Sequence, residues 1–220
     1  MKDLKQLLLN FEYKKNFKDK DFYVSKSNYY AFNIINSWPK WEKNFLNICG
    51  DKYSGKSHLT SIFLKKFKGI IIDSNFFKDE HLKKIKSFEN IVLENFTEKV
   101  DQRLIYSLFN IIDQDNKYLI INSLIPIEKI DFKLKDLRSR TKNCLVANIE
   151  KPDDELMFAL ILKNFSDRQI VIDKKLIDYI IKRIDRSYGK IFEFIYKIDE
   201  ISLKKKKPID FKIIKQVLEE

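Results

Sequence analysis

Eight consecutive residues carry the clearest chemistry. Gly50-Asp51-Lys52-Tyr53-Ser54-Gly55-Lys56-Ser57 match the spacing G-x-x-x-x-G-K-[ST]. The pattern works because glycine lets the backbone close around phosphates and the first amides of the next helix point at the anion. Lys56 would reach the β- and γ-phosphates, and the Ser57 hydroxyl would ligate Mg²⁺. The context is the required one, with an apolar strand-like run (FLNIC) before the loop and an amphipathic run (HLTSIFLKKF) after it. Within the loop, Tyr53 stands where glycine is common.

Other polar groups fall at the ends of apolar runs. Ile91-Val92-Leu93 ends in Glu94-Asn95. Glu94 could complete a metal shell with Ser57, but Asn95 has no basic oxygen, so a general base is missing at the position where a nucleotide hydrolase needs one. Tyr118–Ile121 ends in Asn122-Ser123, either a γ-phosphate sensor or a plain strand-end cap. Leu137-Arg138-Ser139-Arg140 precedes the fifth apolar run. An arginine there is badly placed for its own nucleotide. It could project into a neighbour's site as an arginine finger, the alternative being a solvated surface charge. At the start, Gln6-Leu7-Leu8-Leu9-Asn10-Phe11 sets one amide before closely spaced apolar anchors, ahead of a charged linker. That suits a peptide docking in a partner's pocket, or a short helix packing back on the domain.

These groups need a scaffold, and the periodicities supply one. β-type runs occur at Phe45–Cys49, Gly69–Asp73, Ile91–Leu93, Tyr118–Ile121 and Cys144–Ile149. Between them lie helical stretches at Ser57–Phe67, Glu80–Lys86, Gln102–Asp113 and Leu134–Arg138. This alternation implies right-handed crossovers and a five-stranded parallel sheet between helices, an α/β fold. After Lys151-Pro152 the pattern turns helical, at Asp153–Lys163, Lys174–Ile184, Lys190–Leu203 and Phe211–Leu218, with Asp173 and Asp210 as N-caps. The expected domains are a head and linker over 1–16, a nucleotide-binding α/β domain over 17–151, and a small all-helical domain over 152–220.

Composition limits the remaining classes. Of 220 residues, 44% are hydrophobic, enough for a substantial core. No run approaches the roughly 18 apolar residues of a membrane span, and the first residues lack a signal-peptide pattern, so a cytoplasmic protein without membrane contact is expected. Cys49 and Cys144 are isolated in apolar runs, which suggests neither disulfide nor zinc, and His58 and His81 are the only histidines. The net charge of +11 accompanies a general excess of Lys, Asn, Ile and Phe, which weakens it as a sign of nucleic-acid binding. Glycine numbers only four where about 15 would be average, yet two of the four, Gly50 and Gly55, lie five residues apart within the phosphate-loop pattern.

In this order the motifs resemble the AAA+ family, and within it the DnaA-related proteins. Gly55-Lys56-Ser57-His58-Leu59 resembles the GKTHL of DnaA, which brings His58 into the nucleotide site. Asp21-Phe22-Tyr23-Val24 with Ser27-Asn28 is similar to the stretch that packs near adenine, which implies Phe22 and Val24 as contacts. Leu137–Arg140, then Ile149 and Lys151–Asp154, resembles the segment that carries the arginine finger and leads into the lid. QLLLNF resembles the Q-L-x-L-x-F peptide that binds the bacterial β sliding clamp, through Gln6, Leu7, Leu9 and Phe11 here. Ser37-Trp38-Pro39 is similar to the HdaA branch. The implied layout, clamp peptide, core and lid without a DNA-reading domain, is that of the Hda/HdaA proteins, regulatory inactivators of DnaA.

The resemblance implies a negative regulator of replication initiation. Held on the DNA-loaded clamp and carrying ADP or ATP with Mg²⁺, it would present Arg140 to DnaA and stimulate hydrolysis there, with little turnover of its own. DnaA and the clamp are the implied partners, a homodimer is a further candidate, sequence-specific DNA binding is not expected, and location is cytoplasmic at the replisome. The lid arginine of DnaA has no clear match in Ser187-Tyr188-Gly189-Lys190, which leaves Lys190 and Arg186 as candidate substitutes. The competing readings are an autonomous ATPase of clamp-loader or remodelling type, and a DNA-binding replication accessory.

Overall fold

The computed structural model describes residues 22–168, 170–205 and 209–219. Gln6, Leu7, Leu9 and Phe11 of the expected clamp peptide, and Asp21, lie outside the described residues. Five strands, β1 (Phe45–Gly50), β2 (Gly69–Asp73), β3 (Asn90–Phe96), β4 (Tyr118–Ser123) and β5 (Leu145–Ile149), form one parallel sheet in the order β2-β3-β4-β1-β5. After β1 the chain passes over two strands to reach the edge. Such a switch in strand order opens a crevice at the carboxyl ends of the strands, where ligands of open α/β sheets bind.

Alternation along each strand sends side chains to two cores. Phe45, Ile91, Leu93, Leu119 and Ile121 pack with α3 (Asp79–Ile85), α4 (Gln102–Gln114) and α5 (Lys135–Thr141). Leu46, Ile48, Val92 and Ile120 pack with α1 (Tyr29–Asn36) and α2 (Lys56–Lys66) on the other face. Both faces being covered, the strands read as continuous apolar runs, and β1 is buried throughout. In α4 the Asp101 carboxylate caps the amides of Arg103 and Leu104, and Ile105, Leu108, Phe109 and Ile112 form the buried stripe expected at 3.6-residue spacing. Helix α1 falls where no helix was expected; its buried face is only Ala31 and Ile35, too short a stripe for periodicity to register.

The helical region comprises α6 (Asp154–Asp167), α7 (Lys174–Ile181), α8 (Tyr188–Lys205) and α9 (Phe211–Glu219). It has its own core, including Met157, Ile161, Phe165, Ile177, Ile191 and Ile195. Asp173 and Asp210 cap α7 and α9 by accepting from Lys175 N–H at 2.7 Å and Ile213 N–H at 2.8 Å, as expected. Leu156 and Tyr188 instead join the core beneath the sheet and fasten the lid to it. Among the described residues no helix is long and apolar enough to cross a membrane.

Candidate nucleotide site and the distal arginine

The phosphate loop begins where β1 ends. Gly50 has φ +153°, and a Cβ there would lie 2.7 Å from the Ile149 carbonyl oxygen, a backbone atom that cannot yield. Gly55, at φ +97°, is the N-cap of α2 and lies beneath the Phe22 ring. Tyr53 also has positive φ, +69°, without glycine's freedom. Its ring rests 5.2 Å from that of Phe192 on α8, so the loop touches the lid, and Lys52 Nζ lies 5.1 Å from the same ring. Lys56 donates to the carbonyls of Gly50 (2.6 Å) and Asp51 (2.7 Å), with Ser54 Oγ at 3.4 Å. Burial lowers the Lys56 pKa, against the raising effect of Glu94 and Asp51.

Behind the loop, three side chains converge on one carboxylate. Glu94 is 9% exposed; its Oε2 accepts from Ser57 Oγ at 2.9 Å and its Oε1 from Thr60 Oγ1 at 2.9 Å and Asn122 Nδ2 at 2.8 Å. Thr60 was not legible as a site residue, because its role depends on α2 packing against β3. The two polar residues ending β4 divide: Asn122 turns to Glu94, whereas Ser123 donates to the Ile125 carbonyl at 2.6 Å and is a strand-end cap. Asn122 Oδ1 is buried without a hydrogen-bond partner. A buried orphan acceptor at the end of β4, with the close backbone approach at Gly50, fits a site completed by a polar ligand. Among the described residues no group of three His, Cys, Asp or Glu could hold a metal, so Mg²⁺ would have Ser57 and Glu94 plus phosphate oxygens.

Asn95 points elsewhere. It bulges from β3 at φ +55°, and its amide donates to Asp73 Oδ2 at 2.7 Å. The residue without a basic oxygen is thus also engaged at the neighbouring strand end.

Residues 22–28 lie between loop and lid. Phe22 meets His58 edge-on at 5.4 Å and stacks on Phe32 at 5.9 Å, while Val24 is half-buried two residues on. Ser27 Oγ donates to Asp153 Oδ2 at 2.9 Å, Tyr23 Oη to Glu155 Oε1 at 2.5 Å, and Tyr188 Oη to the Glu150 carbonyl at 3.0 Å. Burial raises the Asp153 pKa, but bonds from Leu156 N–H, Ser25 and Ser27 outweigh it and hold the carboxyl below its ordinary value. Of the lid cations, Lys190 is paired with Glu193 at 3.1 Å and Arg186 with Asp154 at 2.8 Å.

Arg140 lies at the other end of the sheet. It shares a surface recess with Phe45, the first residue of β1, whereas the loop follows Gly50, the last. Five residue steps of strand separate the two by roughly 17 Å. Arg138, on the same helix, is 3.7 Å from Asp131.

The family described as Hda, lid domain, matches residues 153–218. The chromosomal replication initiator protein DnaA of Thermoanaerobacter sp. (strain X514) is 26% identical over 200 residues, 80% of this chain and 45% of that protein. The DnaA of Buchnera aphidicola subsp. Cinara cedri is 23% identical over 239 residues, 97% of this chain and 55% of that one. The chain thus spans about half the length of these curated relatives. Domain III of the Thermotoga maritima replication initiation protein DnaA superposes with a TM-score of 0.74 at 18% identity, covering 92% of this chain and 95% of that one. AMPPCP-bound DnaA from Aquifex aeolicus gives 0.66 at 19%, covering 86% and 67%. With the parallel sheet, the phosphate-loop pattern and the helical region in place, the chain has the fold of DnaA domain III, is similar in sequence to DnaA proteins, and matches the Hda lid domain over residues 153–218.

Proposed function

We propose that this chain is a negative regulator of replication initiation that holds nucleotide, sits on the DNA-loaded sliding clamp, and stimulates ATP hydrolysis by DnaA in trans. The reading rests chiefly on the separation of Arg140 from the chain's own phosphate loop by the length of β1. Asn95 supports it: no carboxylate stands at that position to activate water, and its amide is bound to Asp73. ADP, supplying the diphosphate, would be held by the loop amides and Lys56, with Mg²⁺ at Ser57 and Glu94. Phe22, Val24 and His58 would border the base. Arg140 would neutralise charge developing on the γ-phosphate in DnaA, a contribution of several orders of magnitude in phosphoryl transfer. Gln6, Leu7, Leu9 and Phe11 would hold the clamp.

The test is ATP turnover by DnaA with clamp, DNA and this protein. Arg140→Ala should abolish stimulation while leaving thermal unfolding and ADP binding unchanged; full stimulation by that variant overturns the reading. Replacing Leu9 and Phe11 by Ala should weaken clamp binding at least tenfold, since each anchor is worth ~2 kcal/mol. One observation favours a second reading, an autonomous ATPase: Ser57 and Asn122 both donate to Glu94, which assembles a hydroxyl, an acid and an amide behind the chain's own loop. Turnover on the order of 1 s⁻¹ by this chain alone would favour it.

A further inference from the structure

Arg140 and Arg138 stand two residues apart on α5, yet they are held very differently. Arg140 Nη1 donates to Asp113 Oδ2 at 2.5 Å, and its Cζ lies 5.3 Å from the centre of the Tyr106 ring. Both partners come from α4, seven residues apart and therefore on one face two turns along. Among the described residues, Arg138 has only Asp131 at 3.7 Å, an aspartate whose side chain is 93% exposed, and no ring beneath it. Among the described residues no other group accepts from the Arg140 guanidinium, so its Nε and Nη2 donors are uncommitted. The side chain is pinned at one corner and supported on one face, and the rest of its donor fork is open to a partner.

We propose that Asp113 and Tyr106 are positioning residues for Arg140, fixing the guanidinium so that its free edge meets the phosphate of the neighbouring protein. The inference rests on the trans-acting role proposed above and names the groups that make the arginine effective. A long side chain in solvent samples many rotamers, and a charge accelerates phosphoryl transfer most when it is in place before the reaction begins. A planar guanidinium suits such support, because a carboxylate and an aromatic face can both engage it while other N–H groups stay free. Asp113 lines the recess that holds Arg140 and Tyr106 lies against its guanidinium, so both act through Arg140.

Two measurements separate this inference from the reading beneath it. The first is the ¹⁵N heteronuclear NOE of the Arg140 Nε–Hε group, identified by its loss in Arg140→Lys. It should report an ordered side chain in the native protein and a mobile one in Asp113→Ala; equal order in both overturns the inference, whatever DnaA does. The second is DnaA turnover as a function of the concentration of each variant. Asp113→Ala should lower maximal stimulation about tenfold with an unchanged half-saturating concentration, Asp113→Glu should restore most of it, and Tyr106→Leu should fall between. Undiminished or increased stimulation by Asp113→Ala overturns positioning. Full stimulation by Arg140→Ala overturns the trans-acting role itself, and with it the use proposed for the support.

Discussion

The two ends of the sheet use polar groups in opposite ways. At the carboxyl end, Glu94 and Asn122 are 9% and 1% exposed, and hydroxyls and an amide converge on one carboxylate. At the amino end, Arg140 keeps about a third of its side chain in solvent and, among the described residues, makes a single ion pair. A buried carboxylate is costly to build unless its lone pairs are satisfied, so the inner network is rigid and intolerant of change. An exposed charge costs the fold little and can be lent to a partner. On the proposed function, the inner end would retain a ligand and the outer end would offer a group.

Substitutions can sharpen that contrast, and the largest effect is expected at Gly50. Gly50→Ala places a Cβ 2.7 Å from a backbone oxygen. It should cost about 2–3 kcal/mol, lowering the melting temperature by roughly 5–10 °C, and abolish ADP binding. A native-like melting curve would show that the loop relaxes freely and that the inner end is not rigid. Next comes Lys56→Ala. It should leave the fold intact but remove the ADP-dependent stabilisation, about 2.7 kcal/mol at a hundredfold excess over Kd; an undiminished shift in the unfolding temperature would place the phosphate elsewhere.

The joint between sheet and lid tests the middle ground. Asp153 caps α6 through Leu156 N–H and ties Ser27 to the lid, so Asp153→Ala should cost about 1 kcal/mol. The carboxyl is held below its unfolded pKa of about 3.9, so its contribution is complete above that value and is lost as pH falls through the folded pKa. Native protein and variant should therefore differ fully at pH 7, and the gap should close below about pH 4. A gap that persists undiminished at pH 2 would assign it to packing. The smallest effect is expected at Arg138: Ala there should change stability by less than about 0.5 kcal/mol and leave stimulation of DnaA intact. A large loss of stimulation would mean that α5 presents both arginines.

Much of the scaffold was legible because its signals are local. Apolar runs of strand length, glycines at fixed spacing, and Asp173 and Asp210 before helical stretches each depend on a few neighbouring residues. Helix α1 was missed because two buried residues make no periodic pattern. The function of Thr60 was hidden because hydroxyls in helices commonly bond back to their own turn, and Thr60 does lie 3.3 Å from the Lys56 carbonyl. Its contacts with Glu94 and Asn122 on other elements distinguish it. Asn95 was legible as a missing base, but its attachment to Asp73 follows from a bulge that spacing does not reveal.

The sequence by itself determined the chemistry available: a phosphate loop between strand and helix, an acid and an amide at successive strand ends, no basic oxygen at Asn95, and arginines before the fifth strand. These are properties of residue type and of spacing over a few positions. Tertiary structure decided which groups act together. Strand order sets β3 and β4 beside one another near the loop and so gathers Ser57, Thr60, Glu94 and Asn122. The packing of α4 against α5 brings Asp113 and Tyr106 to Arg140, and the fold of the lid brings Phe192 to Tyr53. Each of these contacts joins elements distant in the chain, and their geometry exists only once the cores on both faces of the sheet have fixed every strand and helix in place.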